Sequence, residues 1–118
     1  MELENALQRR CQRIMKDHNA FVFKTHGSIY TRVGIPDLIA CVPSNIETIT
    51  QMIKNGWFKD NKVGIFVGIE VKRKDRLSEL SKAQEIVGGE IKDAGGIWYA
   101  IDDSDLVEAI MKTLKGEM

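Results

Sequence analysis

Apolar residues recur along this chain with two periods, and the switches between them mark its elements. Over residues 2–18, Leu3, Leu7, Cys11 (with Ala6), Ile14 and His18 return at steps of three and four, which predicts a helix with one apolar stripe. Glu4 and Gln8, four apart, share a face beside that stripe. Asp17-His18-Asn19 is a polar stop, and the aromatic and β-branched content of Ala20–Thr25 predicts a strand. His26-Gly27-Ser28 opens a loop or loose hairpin that lasts to Val33. Gly34 admits unusual backbone angles, and Pro36 pushes Ile35 toward extended geometry. Proline cannot donate to a ladder, so Pro36 belongs at a strand's first residue, and Asp37 enters the strand Asp37–Val42.

Residues 43–61 are harder to read. Pro43-Ser44-Asn45 can cap a short helix through Ile46, Ile49, Met52 and Ile53 that ends near Asn55-Gly56. Trp57-Phe58 and the polar turn Lys59–Lys62 follow. The segment is a candidate insertion, expected to cover a sheet edge with its apolar side. Alternatively, Trp57-Phe58 meets a partner chain or stacks on a base. Val63–Lys72 returns to period two, a strand antiparallel to the first, with Ile65, Val67, Ile69 and Val71 as its core face. Phe66, Gly68, Glu70 and Lys72 take the other face, so two charges end one side of it. Ser81-Lys82-Ala83-Gln84 matches a capping box, opening a helix with the stripe Ala83, Val87, Ile91 and Ala94. Gly88-Gly89 costs that helix about 1 kcal/mol per glycine relative to alanine, and close packing on a sheet is one reason to keep the pair. Gly95-Gly96 ends it, Ile97–Ile101 is a strand, and Asp103 or Ser104 caps a last helix.

The expected fold is α/β, a single domain over 1–118. Its order is α-β-β-β-α-β-α, with a mixed four-stranded sheet flanked by helices and the last two strands parallel through a helical crossover. A chain of 118 residues, 43% hydrophobic, suits one modest core. No apolar run reaches the roughly 18 residues of a membrane span, and the acidic start Met1-Glu2-Leu3-Glu4 is unlike a secretory leader. An intracellular protein is expected, with Cys11 and Cys41 as buried reduced thiols.

Seventeen basic and 17 acidic residues cancel, so any polyanion contact depends on local clusters. Arg9-Arg10 with Arg13 and Lys16 reads as a solvated face. Lys72-Arg73-Lys74 with Arg76 and Lys82 runs on directly from the charged strand end. There the two carboxylates Asp37 and Glu70, with the Val71 carbonyl, are the hard oxygen donors that Mg²⁺ and Mn²⁺ prefer. Lys72 is placed to orient or deprotonate an attacking water, or to stabilise a phosphorane-like transition state. Glu4, if its helix lies over these strand ends, can hold a second metal or an outer-shell water.

Asp37 followed by Glu70-Val71-Lys72 resembles the PD-(D/E)XK signature of restriction-endonuclease-like nucleases. Gly34-Ile35-Pro36-Asp37, Glu70-Val71-Lys72 and Leu80-Ser81-Lys82-Ala83-Gln84 together resemble the VRR-NUC family, virus-type replication-repair nucleases of phages and bacteria. The likeness runs from Glu4 to about Leu114. It implies Asp37 and Glu70 as metal ligands, Lys72 as catalytic lysine and Gln84 as an active-site residue. It also implies Glu4, with Gln8 one turn on, as the acidic position of the first helix. Glu2 competes for that role but lacks such a partner. The implied activity is Mg²⁺- or Mn²⁺-dependent hydrolysis of branched DNA, such as Holliday junctions or flaps, by a homodimer. Arg73, Lys74, Arg76, Lys82 and His26 are the candidate DNA contacts. The segment between Asp37 and Glu70 is long for the family, and a capping role explains Gln84 equally well. The competing readings are a non-catalytic DNA-binding or assembly module, and a structural sheet on which Glu70 and Lys72 are only a surface ion pair.

Overall fold

The computed structural model describes residues 2–26, 32–76 and 78–117, and the side chain of Glu2 lies outside that description. Most of the loop expected over 26–33 therefore falls outside the described residues. The elements are α1 (Glu2–Asp17), β1 (Phe21–Lys24), β2 (Leu38–Cys41), α2 (Ile46–Lys54), β3 (Val67–Val71), α3 (Lys82–Asp93), β4 (Ile97–Ile101) and α4 (Ser104–Leu114). The order is the expected one, with the helix read in 43–61 present as α2. No described helix is long and apolar enough to cross a membrane.

Each cap forms as its residues dictate. The Asn45 side chain accepts from the Thr48 amide at 2.8 Å. Ser81 and Gln84 form the reciprocal capping box, at 3.1 Å and 2.9 Å. Asp103, rather than Ser104, caps α4 by accepting from the Asp105 amide.

The single four-stranded sheet is not formed among the described residues. β1 and β2 pair antiparallel, Phe21 opposite Cys41 and Lys24 opposite Leu38, while β3 and β4 pair parallel as a separate ribbon. The connection from β2 to β3 is a long excursion rather than a two-residue turn, so no tight turn fixes their register. The ribbons meet at one end. Phe21 lies edge-on to Phe66 with centroids 6.0 Å apart, and the Cys41 thiol donates to the Ala94 carbonyl at 3.5 Å. Val22, Cys41, Ile91, Ala94 and Ile101 are the buried apolar residues of this small core.

Two expected core faces are corrected. On α1, Leu3, Leu7 and Ile14 are exposed, whereas Gln8, Cys11, Gln12 and Met15 are half-buried. The helix meets β1 and β2 about a quarter turn away from its leucine stripe. On β3, α3 covers the Gly68 side: a methyl built at Gly68 would lie 3.2 Å from Ile91 Cδ1 and from Trp98 Cδ1. On the face expected to be core, Val67 and Ile69 are half-buried, but Ile65 is exposed and Val71 is 70% exposed. Alternation showed that β3 has two faces, and the position of α3 decides which of them it covers.

α2 buries none of its residues fully, although Ile49, Met52 and Ile53 are half-buried. The chain exposes 9616 Å², against roughly 6,400 Å² for a folded monomer of this mass. Both cysteines are free thiols, but only Cys41 is buried, Cys11 being partly accessible. Burial pushes the Cys41 thiol above its ordinary range. At pH 8, iodoacetamide is therefore expected to alkylate Cys11 first, and peptide mass spectrometry checks the order.

Candidate functional site

Asp37 is placed by backbone before side chain. The Thr25 amide donates to the Asp37 carbonyl at 3.0 Å, adding a rung to the β1–β2 ladder just before β2 begins. The Thr25 hydroxyl donates to the Pro36 carbonyl at 2.7 Å and reaches the Asp37 carbonyl at 3.3 Å. Thr25 thus clamps the Pro36-Asp37 corner, a role that sequence reading missed. The register that puts Thr25 against Asp37 depends on loop 26–36, where no tight-turn signal sets it.

The Asp37 carboxylate is exposed and points at α1. Gln8 Nε2 donates to Asp37 Oδ2 at 3.2 Å. The other end of the same amide, Gln8 Oε1, is buried and has no hydrogen-bond partner among the described residues. An unpaired buried acceptor is costly, and beside a carboxylate it is a natural seat for a donor such as a water, an ammonium or an ion's hydration shell. The rotation of α1 produces this contact by turning Gln8 inward where Leu7 was expected. Glu4, exposed, lies one turn before Gln8 on the same face. The Glu2 side chain lies outside the described residues.

Glu70 and Lys72, both half-buried, follow Gly68 on the face of β3 that α3 covers. The Lys72 amide donates to the Ile101 carbonyl at 2.8 Å, which extends the parallel ladder beyond Val71. Gly88 of α3 lies against Trp98, the partner of Gly68 in the register. Gln84 is one turn before Gly88 on that helical face, toward the end of β3 that carries Glu70. Its Oε1 is used by the Ser81 amide, while its Nε2 has no hydrogen bond among the described residues. The capping role of Gln84 therefore leaves two amide hydrogens to donate.

The two ribbons touch at the Phe21–Cys41 end of one and the Phe66–Gly96 end of the other. Asp37 sits at the far end of the first ribbon, and Glu70 at the far end of the second. Among the described residues no three His, Cys, Asp or Glu side chains are gathered into a cation-binding group.

Most of the basic run after β3 is engaged. Arg73 pairs with Asp75 at 3.5 Å, Lys74 with Asp103 at 3.7 Å and Arg76 with Glu79 at 3.1 Å, all exposed. Such pairs contribute about 0–1 kcal/mol, so a phosphate can displace the carboxylates at little cost. Lys82 opens α3 and is exposed, and His26, also exposed, follows the clamping Thr25.

Comparison of the chain with known protein families, with curated proteins and with solved structures finds no match to any of them.

Proposed function

We propose that this chain is a Mg²⁺- or Mn²⁺-dependent DNA endonuclease of the VRR-NUC kind that hydrolyses phosphodiester bonds in branched or flapped DNA. The observation that carries the reading is the Gln8–Asp37 contact with its buried, unpaired oxygen. It ties the Glu4-x-x-x-Gln8 turn of α1 to the aspartate of the Gly-Ile-Pro-Asp motif, two sequence features 29 residues apart. Placement of Gln84 toward the Glu70 end of β3 supports it as well.

The donor chemistry suits a hard divalent cation: the Asp37 and Glu70 carboxylates and the Val71 carbonyl, with Glu4 for a second ion or its water. Asp37 and Glu70 sit on separate ribbons, however, and the set is not gathered into one group among the described residues. When bound, such an ion lowers the pKa of water and neutralises charge on the phosphate. The chain's own residues do the rest. Thr25 holds the Asp37 backbone, and Gln8 donates to its carboxylate. Lys72 positions the attacking water and stabilises charge on the phosphoryl oxygens. The Gln84 amide donates to the phosphate or to that water. Arg73, Lys74, Arg76, Lys82 and His26 hold the DNA backbone, exchanging carboxylate partners for phosphates.

The working form proposed is a homodimer. Its support is the uncovered stripe of Leu3, Leu7 and Ile14 and the excess surface of the single chain.

Mn²⁺ at about 100 times its dissociation constant is expected to stabilise the protein by about 2.7 kcal/mol. Glu70→Gln is expected to abolish that gain, as read by melting with and without Mn²⁺. An equal Mn²⁺ response in Glu70→Gln removes Glu70 from the ligand set. The decisive test of activity is a cleavage panel of linear, flapped, forked and four-way DNA with Mn²⁺. Metal-independent binding with no cleavage of any substrate would leave a DNA-binding module instead.

A further inference from the structure

We infer that the excursion between β2 and β3 is a contact arm for unpaired nucleic-acid bases, with Trp57 as the stacking platform and Lys54, Lys59 and Lys62 as its phosphate contacts. The ligand is the one the proposed function needs, and to that extent the inference rests on that reading. It adds the substrate feature that the candidate catalytic residues leave open: a single-stranded stretch beside the duplex.

Trp57 is 71% exposed, although α2 immediately before it keeps Ile49, Met52 and Ile53 half-buried. An indole that covered a sheet edge would lose most of its surface, and this one keeps it. The backbone beneath it is nonetheless fixed. The amides of Asn55, Gly56 and Trp57 donate back to the carbonyls of Gln51, Ile53 and Met52 at 2.9–3.1 Å. A platform held this way gives up little conformational freedom when a ligand stacks on it.

The charges around it have one sign. Residues 54–62 carry three lysines against the single acid Asp60. None of the three lysines forms an ion pair among the described residues, whereas Arg73, Lys74, Arg76 and Lys112 all do. The Lys62 amide donates to the Lys59 carbonyl at 3.1 Å, which holds their Cα atoms within about 7 Å of each other. Between them Asp60 and Asn61 both take left-handed backbone angles, φ 56° and 58°. Asp and Asn are among the non-glycine residues that adopt that conformation most readily, so the tip is a turn its own sequence supports.

Exposed aromatics stack on any base with a free π-face, and lysines track the backbone without reading sequence. A fully paired duplex offers neither free faces nor room for the ring. The arm therefore selects flaps, forks and single strands over intact duplex.

The test is fluorescence anisotropy of the whole chain in EDTA, where cleavage is off, with labelled oligo(dT), a flapped duplex and a blunt duplex. Trp57→Ala is expected to weaken oligo(dT) and flap binding about tenfold. Trp57→Phe should keep most of the affinity, and the blunt duplex should be unaffected. Lys59→Gln with Lys62→Gln should reduce the salt slope for oligo(dT) by about 1.4, roughly 0.7 for each lost contact on a single strand. Because Trp57 is exposed, these variants should melt like the parent, which circular dichroism checks. Unchanged strand affinity in Trp57→Ala overturns the inference. So does a dimer seen by sedimentation that Trp57→Ala dissociates without any effect on oligo(dT), since the ring then serves a protein interface. The two readings separate cleanly. Strand binding lost in Trp57→Ala with no cleavage by the parent under Mn²⁺ supports the arm and sinks the nuclease. Cleavage with normal Trp57→Ala binding does the reverse.

Discussion

Asp37→Ala and Lys72→Ala are each expected to reduce Mn²⁺-dependent DNA cleavage by about 10³-fold, the upper end of what one preorganised electrostatic group contributes. The loss should fall on the chemical step. The backbone bond from Thr25 to the Asp37 carbonyl survives either substitution, and so does the Lys72 amide bond to Ile101. Both elements therefore stay in register. Asp37 is exposed and its carboxylate accepts only from Gln8 among the described residues, so its removal should leave thermal stability nearly unchanged. Single-turnover cleavage of a flapped duplex, read beside melting curves, separates catalysis from folding. Cleavage that persists at the parent rate in either variant removes that residue from the mechanism.

The second large effect concerns the fold that carries Glu70. Gly88→Ala is expected to destabilise the protein by about 1–3 kcal/mol, the usual cost of forcing extra atoms into a packed site. A methyl at Gly88 would lie 2.7–2.8 Å from Cδ2, Cε2 and Cε3 of Trp98. The ring has little room to retreat, since Gly68 lies close against its edge and Lys92 stands 5.6 Å from its centroid. Gly89→Ala, next in sequence, meets nothing within 4 Å in the same helix. It should stabilise by about 0.4–1 kcal/mol through the unfolded chain. Differential scanning calorimetry reads both, at roughly 4 °C per kcal/mol for a chain of this length. A Gly88→Ala protein as stable as the parent would mean that α3 does not lie on β3–β4 as described. The pair shows that identical neighbours can be kept for unequal reasons: Gly88 for close approach, Gly89 for none the structure provides.

How much of this was legible beforehand depended on the range of the interactions involved. The capping box at Ser81–Gln84 and the Asn45 and Asp103 caps are local exchanges between residues two or three apart. The capping box was readable outright, while the other two were narrowed to Pro43-Ser44-Asn45 and to Asp103 or Ser104. The capping role of Gln84 was equally visible. What sequence could not supply was that Gln84 starts the helical face on which Gly88 meets Trp98, because that depends on how α3 crosses the ribbon.

The sequence by itself determined the order of elements and most of their caps, and it nominated the residues of the candidate chemistry. Period and capping depend only on neighbours along the chain. The tertiary structure alone decided the rest. It split the expected sheet into two ribbons, β1 with β2 and β3 with β4. It turned α1 so that Gln8, not Leu7, met the first ribbon and reached Asp37. It put α3 on the glycine face of β3, because only Gly68 and Gly88 let the helix and Trp98 come so close. Which face is covered is a property of two surfaces meeting, and one strand's pattern describes only one of them.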